Sequence, residues 1–190
     1  QARSMLFQTA EALRRADAGE AGAYPLARIL TPLIKFRACR DARRVTGDAM
    51  EVRGGCGYIE EWADPRLVRD AHLGSIWEGT SNIVALDVLR AIRREGALPV
   101  LQQHWQAQLD ATPMHAAARA VFQRSLAQVA GLAARVADAG KAGDHQARQA
   151  ASALYHATTA VAMAWEAGRI GSARRMRLAQ WTLCARLLPH

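Results

Sequence analysis

The 190-residue chain contains no apolar run approaching the ~20 residues that a bilayer crossing requires, which excludes a membrane span. It has three cysteines, Cys39, Cys56 and Cys184, an odd number set far apart. They offer neither a disulfide framework nor the C-x-x-C spacing of a zinc or redox site, and a reducing cytoplasm is the expected compartment. Histidines give no metal centre either. His145 and His156 are eleven positions apart, about 16 Å along a helix at ~1.5 Å per residue. His104 and His115 fail the same test if they share a helix, and Pro113 argues against their sharing one. No segment alternates polar and apolar residues with period two between turn signals, so strands are not expected. The opening "QARSMLFQTAEALRRADAG" is too charged and periodic for a secretory signal and reads as a helix entered part-way along.

What is present is alanine, leucine and arginine at helical spacing. Hydrophobic residues make up 51% of the chain, and the predicted fold is an all-α helical bundle. A first helix over Ala2–Ala18 presents Leu6, Ala10 and Leu13 as its buried stripe and ends at Gly19 and Gly22. A second places Leu26, Ile29, Leu30, Leu33, Ile34 and Ala38 inward, with Arg28, Lys35 and Arg40 elsewhere. Pro32 is expected to kink it or to open a new segment capped by Thr31. The pattern stops at Gly54-Gly55, and "GGCGYIEEWADP" reads as an ordered loop. A short helix "PRLVRDAHL" and a buried one carrying Ile83, Val84, Leu86, Val88, Leu89 and Ile92 follow. After a break at Gly96–Pro99 come helices over "VLQQHWQAQLDA", Met114–Ala139, His145 to about Gly168, and Ser172–Leu188. Phe122, Leu126, Val129 and Val136 form one seam, and Leu154, Thr158, Val161 and Trp165 another. Met163 and Trp165 read as core packing.

Charge is uneven. Of a net +8, residues 101–190 carry ten basic groups against four acidic ones. Such a surplus suits a polyanion, an acidic partner, or simply a solvated helix face.

Two stretches stand out. Gly55-x-Gly57 lacks the preceding strand and third glycine of a dinucleotide fingerprint, which leaves a turn whose amides could approach a pyrophosphate. In "GSIWEGTSNI", Glu78 sits between Trp77 and Gly79, and the local reading is a helix start capped by Thr80 or Ser81.

Taken together, "AMEVRGGCGYIEEWADPRLVRDAHLGSIWEGTSNIVALDVLRAI" resembles the C-terminal helical domain of the acyl-CoA dehydrogenase family. The details "AMEV", "SIWEG" and "LDVLR" are most similar to its AidB-like branch of alkylation-response flavoproteins. The resemblance is specific over about residues 24–95 and is carried by helix pattern and charge beyond them. It implies that residues 1–97 are part of the family's C-terminal four-helix-bundle domain and that 98–190 are an appended basic helical domain. Glu78 would be the catalytic base that takes the α proton of an acyl-CoA thioester while the β hydrogen leaves as hydride to FAD. Trp77 would desolvate that carboxylate, and Gly79 would let substrate approach without a Cβ in the way.

Thr80 and Asn82 would lie near the FAD, and Glu51, Gly54 and Gly55 near the FAD of a neighbouring subunit in a homo-oligomer, a dimer or tetramer. The family's usual residue at position 51 is Gln, and Glu51 would repel a pyrophosphate unless Arg53 compensates. Glu51 reads equally as a solvated helix-end residue, and Tyr58 as a loop anchor packed by its ring. The family's N-terminal helical and middle β domains are not in this sequence, so a fragment would carry the base and part of the cofactor wall without turning over acyl-CoA or holding FAD alone. Arg174, Arg175 and Arg177 in "RIGSARRMRLAQWTLCAR" are candidates for binding DNA, with Leu178, Trp181, Ala185 and Leu188 packing inward, or for pairing with acids of other domains or subunits. A third reading takes this helical domain as the oligomerisation element of the full-length protein.

Overall fold

A computed structural model describes residues 1–187, and every regular element among them is helical. In chain order these are α1 (Ala2–Asp17), α2 (Ala23–Val52), the single turn α3 (Gly55–Tyr58), α4 (Asp64–Leu73), α5 (Ser81–Glu95), α6 (Ala97–Asp110), α7 (Ala116–Asp138), a 3-10 segment Gly140–Gln146, α8 (Ala147–Ile170) and α9 (Ala173–Arg186). The all-α expectation is met. The final helix ends at Arg186, and Leu188 lies outside the described residues.

Helix α8 is the axis of the fold. Its run of Ala150, Ala151, Ala157, Ala160 and Ala164 is fully buried, and these small side chains allow α1, α2, α5, α6, α7 and α9 all to pack against it. Both expected seams are in place, although Trp165 is only half-buried, with the Arg169 guanidinium 5.1 Å over its ring. Trp105 of α6 is buried against α8 and donates its indole N–H to Thr158 Oγ1 at 3.1 Å, so a bulky aromatic enters the core without an orphaned donor. One contiguous hydrophobic core runs from Met5 to Leu183 and draws on residues on both sides of position 97.

Several local expectations are corrected. In α1 the buried stripe is Ser4, Met5, Thr9 and Ala12, while Leu6, Ala10 and Leu13 face outward. Pro32 does not restart α2, which runs through it as one helix of 30 residues with Pro32 itself buried. Thr31 does not cap a new segment. Its hydroxyl donates to the Ala27 carbonyl at 2.8 Å within the same helix. Ile83 of α5 is exposed, and Val84, Val88 and Leu89 supply its core face. In α9 the buried residues are Ala179, Thr182 and Leu183, and Trp181 projects into solvent.

Candidate functional site

The α4–α5 connection is where the backbone departs most from its preferred conformations. Tight bonds from the amides of Ser75, Ile76 and Trp77 back to His72 and Leu73 close the end of α4. Glu78 then takes φ 54°, the one positive φ at a non-glycine residue among those described, and Gly79 takes φ 111°. A left-handed conformation costs an L-residue about 1–2 kcal/mol, because its Cβ crowds the following carbonyl. Gly79 tolerates its own φ only because it lacks a Cβ, and a side chain there would meet Ile83 Cγ2 at 3.3 Å. The glycine is therefore explained by its backbone and by Ile83, not by open space left for a substrate. Thr80 is extended and N-caps α5, but its side chain makes no cap bond, so no side chain of the chain's own caps the first-turn amides.

This reversal sets Glu78 on the rim of a cavity of about 540 Å³ framed by α1, α2 and α5. Leu13, Tyr24 and Ile83 line its apolar part; Arg28, Lys35 and Asp87 line its polar part. Arg28 grips Asp87 through two bonds of 2.9 and 2.8 Å, and Arg90 adds a third at 2.9 Å. The Arg28 hydrogen bonds hold the Asp87 carboxyl below its ordinary range, against the opposing effect of partial burial. Lys35 donates to the carbonyls of Gly74 at 2.9 Å and Trp77 at 3.1 Å, and its Nζ lies 3.9 Å from Glu78 Oε2.

The expected desolvation of Glu78 is not supplied by this chain. Its side chain is 75% exposed and Trp77 is 57% exposed, because Trp77 packs on nothing that would shield the carboxylate. Thr80 and Asn82 are likewise exposed at the start of α5, next to Glu78 in sequence and on the same connection.

The second group of candidates is elsewhere. Lys35 and Gly54 are separated by 19 residues of α2 and its end, about 28 Å at ~1.5 Å per residue, so Glu51, Gly54 and Gly55 cannot share a small ligand with Glu78 within one chain. All three are exposed, and nothing lies within 4 Å of where a Cβ at Gly54 or Gly55 would stand. The sterically demanding glycine of this turn is Gly57, where a Cβ would fall 2.2 Å from the Met50 carbonyl oxygen. Arg53 does not compensate Glu51. It pairs with Asp64 at 3.0 Å and lies 5.1 Å over the Trp62 ring, leaving Glu51 solvated. Tyr58 is not a packed anchor, since it is largely exposed.

The third group sits at the start of α9, where the Ser172 hydroxyl accepts the Arg175 amide at 3.3 Å. Arg175 folds inward, pairs with Glu166 of α8, and donates to Ser4 Oγ of α1 at 2.8 Å. Arg174 and Arg177 project into solvent. The three arginines are thus not one basic face, because Arg175 is committed to joining α1, α8 and α9.

Sequence reasoning passed over Lys35 and Asp87. The available signal was the spacing Arg28, Thr31, Lys35, which repeats at i, i+3 and i+7 and puts a polar stripe beside the apolar face of α2. Nothing local indicated that the stripe meets α5.

Residues 1–93 match the family described as acyl-CoA dehydrogenase, C-terminal domain. Over 96 residues the chain is 46% identical to the putative acyl-CoA dehydrogenase AidB of Escherichia coli (strain K12), covering 50% of this chain and 17% of that protein. It is 39% identical over 88 residues to acyl-CoA dehydrogenase family member 11 of Caenorhabditis elegans, covering 45% of this chain and 14% of that one. The crystal structure of Caenorhabditis elegans ACDH-11 in complex with C11-CoA superposes with a TM-score of 0.88 at 25% identity, covering 100% of this chain and 34% of that chain. The apo form of Bd2924 superposes with a TM-score of 0.65 at 29% identity, over 85% of this chain and 30% of that one. The chain therefore spans under a fifth of the length of these curated relatives and about a third of the solved ones.

Proposed function

Because residues 1–93 belong to the acyl-CoA dehydrogenase C-terminal domain family, we infer that the chain supplies the proton-accepting wall of an acyl-CoA-oxidising flavoprotein, with Glu78 as its base. The observation that carries this reading is the left-handed backbone at Glu78. A strained residue on the rim of a cavity persists only where the surroundings hold it, and such strain concentrates at functional sites.

The residues at the start of α5 fit a bound flavin nucleotide. Thr80 leaves the first-turn amides uncapped, and the helix dipole there favours anionic oxygen, while Thr80 and Asn82 present exposed polar side chains. The turn at Gly54-Gly55 fits as an open backbone surface, but Glu51 beside it does not fit a pyrophosphate, since Arg53 is paired with Asp64 and among the described residues no other cation forms an ion pair with Glu51. FAD, when bound, supplies the acceptor for the hydride that leaves the β carbon. The chain's own part is proton chemistry. A Glu78 carboxylate oxygen takes the α proton, the C–H electron pair becomes the new α,β double bond, and the carboxyl keeps the proton until solvent removes it. Such positioned bases commonly contribute about a hundred- to ten-thousand-fold. Leu13, Tyr24 and Ile83 give the cavity an apolar side suited to an acyl chain. The shielding of Glu78 that this chain lacks would come from the remainder of the full-length protein and from the substrate.

The test is turnover by the full-length protein. Purified with FAD, it should convert a saturated acyl-CoA to the 2-enoyl-CoA with an artificial electron acceptor. Binding of acyl-CoA without any enoyl product would refute the reading.

A further inference from the structure

We propose that Lys35 is the positioning residue of the Glu78 turn, tying the α4–α5 connection to α2 so that the carboxylate is held over the cavity. Its functional meaning rests on the base assigned above. Its structural content does not.

Residues 74–79 have little else to hold them. Ile76, Trp77 and Glu78 are each more than half exposed, so apolar burial does not fix the loop. Thr80 gives no side-chain cap, and the amide bonds of Ser75, Ile76 and Trp77 are local, reaching only the last turn of α4. Among the described residues, the bonds from Lys35 to the Gly74 and Trp77 carbonyls are the only side-chain hydrogen bonds that reach residues 74–79 from another element.

The donor suits the task. The Lys35 side chain is 22% exposed, so most of it is covered by the protein while its ammonium finds two backbone acceptors at the rim. Two carbonyl oxygens three residues apart satisfy two of its three N–H groups. They bracket the residues just before Glu78, so the chain must reverse at the next residue to enter α5, and Glu78 takes the positive φ. The remaining N–H faces Glu78 Oε2 at 3.9 Å, too far for a hydrogen bond and too exposed to matter much as an ion pair. The carbonyl bonds, rather than charge on Glu78, carry the effect.

The experiment compares the wild-type chain with Lys35→Met and Lys35→Arg by amide hydrogen exchange and by the intraresidue Hα–HN contact of Glu78, which is strong only for positive φ. In Lys35→Met the hydrogen-bonded amides of Ser75, Ile76 and Trp77 should exchange on the order of ten- to a hundredfold faster, as loss of bonds to a charged donor implies. The Hα–HN contact should weaken, while the Val88 and Leu89 amides in the core of α5 stay protected. Lys35→Arg, which keeps a cationic donor, should restore most of the protection. Unchanged exchange and an unchanged contact in Lys35→Met would overturn the proposal. If Lys35→Met loosens α5 as a whole, Lys35→Arg decides: a native turn supports the proposal, and a turn lost in an otherwise folded protein overturns it. Glu78→Gln in the full-length protein is the separate test of the base, so its failure would leave the exchange result standing.

Discussion

Replacing Glu78 by glycine should make the chain more stable. The wild-type residue holds φ 54°, which costs an L-residue about 1–2 kcal/mol, and glycine removes that cost. Against this, glycine gives the unfolded chain extra freedom, worth about 0.4–1 kcal/mol. The ion pair that would be lost is spread over 3.9 Å with a carboxylate 75% exposed, and such pairs contribute little. The balance is a gain of roughly 0.5–1 kcal/mol, or ~1–4 °C in melting temperature for a chain of this length. Glu78→Ala is the control, because it removes the carboxylate but keeps the Cβ and so retains the strain. Thermal and urea unfolding followed by far-ultraviolet circular dichroism should place Glu78→Gly above Glu78→Ala by about 1 kcal/mol. A glycine variant that melts at or below the alanine variant would refute the claim that glutamate is kept there at a conformational cost.

Other perturbations probe the rest of the fold. Arg175→Ala leaves the Glu166 carboxylate without its cation in a site only one-fifth exposed, with the Ser4 hydroxyl still donating to it at 3.3 Å, and should lose about 2–3 kcal/mol by urea unfolding. Arg174→Ala and Arg177→Ala should stay within about 0.5 kcal/mol, so an equal loss in all three would contradict the inward placement of Arg175. Among the described residues the buried Tyr155 hydroxyl has no hydrogen-bond partner, so Tyr155→Phe should be neutral or raise stability by about 1 kcal/mol; destabilisation would mean the hydroxyl has a partner. Burial depresses His104 to about 4 and His156 to about 3, so the unfolded chain binds more protons below the ordinary histidine value of 6.5. Stability from these two groups is therefore fully present above pH 6.5 and falls as pH drops through the window from 6.5 to about 4 for His104 and to about 3 for His156, by up to about 1.4 kcal/mol per pH unit each. Denaturant midpoints for His104→Gln and wild type across pH 4–7 should converge as pH falls, and parallel curves would count against a neutral buried His104.

The helices were legible because their apolar periodicity is local. The choice of face was less so. Helix α1 carries Leu6, Phe7 and Leu13 on one side and Met5, Thr9 and Ala12 on the other, and periodicity cannot say which stripe meets α2 and α8. Pro32 reads as a break because it lacks an amide proton, yet α2 accommodates it inside one continuous helix. The position of Glu78 before α5 followed from glycine and capping chemistry. Its shielding by Trp77 did not follow, because burial depends on what packs over the loop rather than on which residue is adjacent. Lys35 acts on carbonyls 39 and 42 residues away and Arg175 on Ser4, 171 residues away, separations no local pattern encodes.

Acceptance of the α proton is the role we propose for the Glu78 carboxylate. The direct measurement is the rate of flavin bleaching when saturated acyl-CoA is mixed anaerobically with the FAD-loaded full-length protein, wild type against Glu78→Gln. The expected loss in Glu78→Gln is on the order of a hundredfold or more, with acyl-CoA binding retained. A Glu78→Gln protein that bleaches at the wild-type rate would contradict it.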